Sequence, residues 1–243
     1  MEDATVEQLV PAGTGGPLAG TRLLPVAPVL APLLPDTGLR RGTVLSVSGA
    51  GGATSLLCIL LAQAMAEGSW VAVVGLPALG LEAAARLGLR LDHLALVPDP
   101  DTHWAEVVGI LVDALDVVAV APGRCRPADA RRLAARVRER GSLLVVASPA
   151  AVTGRSAPRW PEPVDLQLEV GTARWHGLDA GDGTLQRRSV TVQSSGRRAA
   201  ARQRRVRLWL PAPDGRSAPD DQSVPDDGSA PLVPAAIRPL KAG

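Results

Sequence analysis

The sequence predicts an α/β fold, a mainly parallel, helix-covered sheet extended by a C-terminal antiparallel meander. Between residues 43 and 147, short continuous apolar runs rich in Val and Leu alternate with helix-length runs. Strands apolar on both faces belong to sheets covered on both sides. Beyond residue 164 the runs change to apolar/polar alternation, the period of a half-buried antiparallel strand. Between the first strand and the first helix lies a glycine turn, Ser48-Gly49-Ala50-Gly51-Gly52-Ala53-Thr54-Ser55. Strand, glycine turn and helix make the geometry in which free backbone N–H groups and a positive helix end converge on an anion.

In chain order, residues 1–21 are Gly, Pro and Thr without period, and composition predicts disorder there. Prolines at 25, 28, 32 and 35 forbid a regular helix interior, so residues 23–34 are expected as an extended segment lying on the core. Strand Thr43–Val47 leads through the turn into helix Ser55–Glu67, closed by Gly68. Strand Trp70–Val74 ends at Gly75-Leu76-Pro77, and a short helix runs from Gly80 to Leu87. Strand Leu94–Val97 precedes a helix capped by Asp101 or Thr102 and reaching Leu115; strand Val117–Ala121 follows. Pro127 in the first turn and Gly141 at C′ bracket the helix Pro127–Arg140, and strand Leu143–Ala147 completes the series. The meander comprises Val164–Val170, Arg187–Gln193 and Arg205–Leu210, with a turn at Asp179–Gly183. Residues 212–243, rich in Pro, Asp and Ser, read as a disordered tail, which leaves 22–211 as the core domain.

Composition narrows the function classes. At 46 % hydrophobic residues the chain can build a core, with neither Phe nor Tyr in it. A net charge of +2 argues against non-specific coating of nucleic acid. Cys58 and Cys125 are too few for a disulfide scaffold, and His93, His103 and His176 stand apart from other ligands, so no metal site or cofactor is expected. Without a basic leader before an apolar stretch, or an apolar run of about 18 residues, a cytoplasmic protein that does not enter the membrane is expected.

The glycine turn lacks its chemistry. A phosphate-binding loop of this kind needs Lys after its last Gly and a Ser/Thr hydroxyl for Mg²⁺. Thr54 supplies the hydroxyl, but Ala53 stands at the lysine position, and the chain's one lysine is Lys241. Ser48, Gly49, Gly51, Gly52, Ala53 and Thr54 therefore form a degenerate nucleotide loop.

The order of elements is similar to the RecA/RadA ATPase core over residues 22–210. The resemblance is carried by Gly38-Leu39-Arg40-Arg41-Gly42 leading into the turn, by Val97-Pro98-Asp99, and by Asp116-Val117-Val118-Ala119-Val120. Closer still is a resemblance to the RecA-like ImuA proteins of the actinobacterial ImuA-prime type. It rests on Ser69-Trp70-Val71-Ala72-Val73-Val74-Gly75-Leu76-Pro77, Leu94-Ala95-Leu96-Val97-Pro98-Asp99-Pro100, Trp104-Ala105-Glu106-Val107 and Arg207-Leu208-Trp209-Leu210-Pro211.

The first resemblance implies a RecA-like P-loop fold whose Walker B aspartate and catalytic glutamate positions are substituted, by Ala121 and Pro77. With three parts missing, ATP hydrolysis is not expected, and no residue is assigned a catalytic role. The second implies an accessory protein of a damage-induced translesion-synthesis complex, nucleoid-associated when assembled. It would dock an ImuB-like Y-family polymerase relative and, through that complex, RecA and a C-family error-prone polymerase, with weak or indirect contact to DNA. The candidate partner surface is Trp175, Arg197, Arg198, Arg204, Arg205 and Trp209; a second is the basic helix face Arg132, Arg136 and Arg140. Two alternatives remain open: a RecA-type ATPase or DNA-binding protein with an unorthodox loop, and a SulA-like cell-division inhibitor.

Overall fold

A computed structural model of the chain describes residues 22–49, 51–123, 125–149, 160–179, 182–210 and 218–219. Segment 1–21, the tail 212–243 apart from 218–219, and loop residues 150–159 lie outside the described residues, as do the expectations made for them. The first elements form a clip: β1 (Leu23–Leu24) pairs antiparallel with β2 (Leu39–Arg40). Between them, Pro28–Leu33 is a 3₁₀-helix, and the expected extended conformation is corrected accordingly. Prolines forbid the α-helix interior, yet Pro28 at the first helical positions needs no donor, and i→i+3 bonds such as Leu30 N–H to Ala27 O (2.9 Å) close without one. Leu30 and Leu33 on this turn are fully buried.

The alternating region folds in the predicted order into β3 (Thr43–Gly49), α1 (Ala53–Ala66), β4 (Val71–Val74), α2 (Leu81–Arg86), β5 (Leu94–Val97), α3 (Trp104–Ala114), β6 (Val117–Val120), α4 (Pro127–Arg140) and β7 (Leu143–Pro149). The N-cap of α3 is His103, because Asp101–His103, expected to supply the cap, forms a 3₁₀ turn. The meander follows as β8 (Leu166–Asp179), β9 (Asp182–Gly196), β10 (Arg204–Trp209) and β11 (Ala218–Pro219). One sheet runs β11-β10-β9-β8-β3-β7-β6-β4-β5, parallel from β8 to β5 and antiparallel from β8 outward. β8 and β9 are 14 and 15 residues long, well beyond the alternating runs. Register shifts between Val170 and Ala173 and between His176 and Leu178 explain why: each irregularity breaks the period-2 pattern without ending the ladder.

Two layers cover the sheet. On one face α1 and the 3₁₀-helix pack against Leu45, Val47, Leu168, Val192 and Leu208. α1 is buried over most of its circumference, which is why its sequence is apolar rather than amphipathic. On the other face α3 and α4 enclose Val44, Val118, Val120 and Val146. Past β3 that face carries a polar row. Ser48, Glu169, Gln193 and Arg205 stand in one cross-strand row over β3, β8, β9 and β10.

At the end of the sheet opposite the glycine turn, Arg41 Nη2 donates to Asp116 Oδ1 at 2.8 Å, and both side chains are less than a tenth exposed. Asp116 Oδ2 also accepts the Trp70 N–H (3.2 Å), so one carboxylate fixes the entries to β3, β4 and β6. Among the described residues no helix is long and apolar enough to cross a membrane.

Candidate functional site

The glycine turn joins β3 to α1 through three residues with positive φ: Gly49 (125°), Gly51 (75°) and Gly52 (144°). Gly52 is the N-cap of α1; its carbonyl accepts the Leu56 N–H at 2.8 Å and no side chain caps the helix. The turn is tightly overlaid by the meander. A Cβ on Gly49 would lie 2.1 Å from Val170 O, and one on Gly52 would lie 3.3 Å from the Val170 side chain. Ala53 is buried and Thr54 is exposed.

A cation stands beside this turn that the sequence did not point to. Arg188 of β9 donates from Nε to Leu210 O (3.0 Å), and its Nη2 lies 3.4 Å from Ser55 Oγ in the first turn of α1. That Nη2 also lies 3.4 Å from where a Gly52 Cβ would be. The guanidinium sits over the Trp175 ring, 5.1 Å from its centroid. Burial lowers the Arg188 pKa, because desolvation penalises the charged form. A guanidinium close to the positive end of a helix is held there by neutral acceptors and an aromatic face. Only the pairing of Trp175 with Arg188 across β8 and β9 brings it to the loop, and no local motif announces that pairing.

Ala121 and Pro77, expected at the Walker B and glutamate positions, lie at this same end of the sheet. Ala121 follows β6; its N–H donates to Val74 O (2.9 Å), and its carbonyl accepts Trp104 Nε1–H (2.8 Å). A Cβ on Gly75 would touch the Ala121 methyl at 3.4 Å, so the strand ends here are packed against each other. Pro77 is exposed in the turn beyond β4.

Residues 32–153 match the model of the MT3502 N-terminal domain. The chain belongs to that family. The match spans β3 to β7, and with them the glycine turn and the strand ends at Ala121 and Pro77; the meander lies beyond it. The chain is 39 % identical over 135 residues to the uncharacterized protein Rv3395c of Mycobacterium tuberculosis, an alignment covering 55 % of this chain and 61 % of that relative. Less than two thirds of the relative's length is therefore spanned. Its fold is similar to that in the crystal structure of the RadB recombinase, with a TM-score of 0.55 at 15 % identity over 77 % of this chain and 94 % of that one. The fold is thus RecA-like.

In this chain the residues singled out by sequence separate into distinct groups. On α4, Arg136 makes a bidentate pair with Asp113 of α3, which Arg140 joins at 3.1 Å, while Arg132 pairs with Asp129 at 2.5 Å. The two arginines hold the Asp113 carboxyl below its ordinary pKa, chiefly through the Arg136 hydrogen bond. The α4 arginine face therefore has intramolecular counter-ions.

The meander candidates are not one surface. Trp175, 47 % exposed, lies beside Arg188 on the α1 side. Trp209 is buried and pairs with Ser189, the next residue along β9, so it faces the other way; its ring meets His176 edge-on at 4.9 Å. Arg205 Nη2 donates to Gln193 Oε1 at 3.1 Å, next to the partly exposed Arg204. Arg197 and Arg198 stand apart, on the exposed turn that follows β9.

Proposed function

We propose that this protein is a non-catalytic RecA-fold adaptor of a damage-induced translesion-synthesis complex, docking an ImuB-like Y-family polymerase relative. The observation that carries this is the condition of the glycine turn. Its strand, glycines and helix persist, but Ala53 replaces the lysine and β8 is packed down on Gly49. A turn maintained by its own protein contacts keeps the fold without needing nucleotide. Ala121 and Pro77 at the neighbouring strand ends supply neither a magnesium ligand nor an acid for water, which supports a scaffold role. Family resemblance in the β4, β5 and β10 segments supports the choice of complex.

Co-purification of the full-length chain with an ImuB-like protein tests the role, and absence of a complex would refute it. No Mg²⁺-dependent ATP turnover above background is expected from the chain alone.

One observation favours a second function, nucleotide or anion binding by an unorthodox loop: Arg188 brings a positive charge to the turn from another strand. Nucleotide-dependent thermal stabilisation separates the two, since a ligand that binds only the folded state raises the midpoint.

A further inference from the structure

A cavity of about 170 Å³ opens at the N-terminal ends of β3 and β8, the end of the sheet away from the glycine turn. Its apolar lining includes the buried Leu39 and Leu45 and the half-buried Leu166. Its basic lining is Arg40, Arg197 and Arg198, all exposed. We propose that this cavity docks an acidic peptide segment of a protein partner, with one aliphatic side chain entering among the leucines and flanking carboxylates meeting Arg197 and Arg198.

The charges favour such an occupant. Both carboxylates of the lining are engaged within the chain: Asp36 Oδ2 accepts from Arg40 Nη2 at 2.7 Å, and Asp165 Oδ2 accepts the Val44 N–H at 2.9 Å. Arg197 and Arg198 have no ion pair among the described residues, nor do Arg202, Arg204, Arg205 and Arg207 beyond them. On α4, by contrast, four of the five arginines, Arg131, Arg132, Arg136 and Arg140, have an acidic partner. Like charges gathered without counter-ions attract an external anion.

Backbone geometry adds to this. Arg198 has φ 53°, a left-handed conformation that glycine adopts without strain, and Thr37 near the facing lip has φ 56°. The turn presenting Arg197 and Arg198 is pinned by Arg197 N–H to Asp165 O (3.0 Å) and by Gly196, where a Cβ would lie 2.3 Å from the same carbonyl. An arginine is thus held in a costly conformation at the mouth of an apolar cavity. No aromatic residue lines it, so the base stacking that single-stranded nucleic acid uses is missing, whereas leucines suit an aliphatic side chain.

This deepens the adaptor proposal and rests on it only in assigning the peptide to a protein partner. The probe is a fluorescein-labelled synthetic peptide of Asp and Glu around one central Leu, titrated with the full-length chain at low and physiological salt. Binding is expected, weaker at higher salt, and lowered at least ~10-fold by Arg197→Ala with Arg198→Ala, as befits losing a charge-assisted hydrogen bond. Arg132→Ala leaves it unchanged. Arg198→Gly is expected to weaken binding while the thermal midpoint stays the same or rises, which separates lost recognition from lost folding.

Equal binding by the double variant, or by a peptide without Leu, would overturn the proposal. So would stronger competition from a single-stranded oligonucleotide than from unlabelled peptide. Binding that emerges only after Asp220, Asp221, Asp226 and Asp227 are changed to Asn would assign the cavity to the chain's own tail and overturn the external partner. An ImuB-like protein that co-purifies undiminished with the double variant refutes the site and leaves the adaptor role. Peptide binding without any such co-purification refutes the role and leaves the site.

Discussion

Replacing Arg188 by Ala removes a side chain that ties β9 both to the first turn of α1 and to the end of β10. Its Nε–H bond to Leu210 O, at 3.0 Å, is a charged-donor hydrogen bond of about 1.5–3 kcal/mol. The 3.4 Å approach to Ser55 Oγ is too long to add much. The guanidinium over Trp175, a ring that is 47 % exposed, adds ~0.5–1 kcal/mol. Relief of a half-buried charge offsets part of this, so the net loss is about 2 kcal/mol. For a domain of this size that lowers the thermal midpoint by roughly 4–8 °C. Urea unfolding followed by tryptophan fluorescence is the assay, read as a shift in midpoint at constant slope. Arg188→Lys, which keeps the charge but not the planar fork, should recover less than half. A loss below ~0.5 kcal/mol would refute the assigned contacts. Inorganic phosphate that stabilised the parent but not Arg188→Ala would transfer support to an anion-binding turn.

Gly49→Ala places a Cβ 2.1 Å from Val170 O at φ 125°; a loss of at least ~3 kcal/mol in urea unfolding is expected, and a loss under ~1 kcal/mol would show that β8 does not close the turn. Asp116→Ala strands the buried Arg41 and the Trp70 N–H, for an expected ~3–5 kcal/mol, whereas Arg132→Ala at an exposed pair should cost under ~1 kcal/mol in the same assay. Burial pushes both thiols up to about 11, so thiolate is scarce at neutral pH. Thiol-reactive labelling should be slow and should mark the partly exposed Cys125 before the buried Cys58, which reacts at an appreciable rate only on unfolding.

Much of the fold could be read without coordinates because its signals are local. Val117–Val120 is apolar throughout and is a strand covered on both faces; Pro127 and Gly141 set the ends of α4 by their own backbone chemistry. The glycine turn and the alanine at its lysine position are equally local. The 3₁₀-helix at Pro28–Leu33 was hidden because proline excludes an α-helix interior without choosing among the remaining conformations. β8 and β9 looked short because their bulges shift the faces on which alternation is counted.

By itself, then, the sequence determined the element order, the parallel core and the alanine that follows the last glycine of the turn, since each depends on neighbouring residues or a short period. Tertiary structure alone decided where the arginines act. Arg188 reaches the turn through cross-strand pairing, Arg136 and Arg140 are neutralised by Asp113 on another helix, and among the described residues Arg197 and Arg198 have no such partner. Charge along a chain counts arginines, but whether one is paired depends on carboxylates distant in sequence, and only folding brings those within a few ångströms.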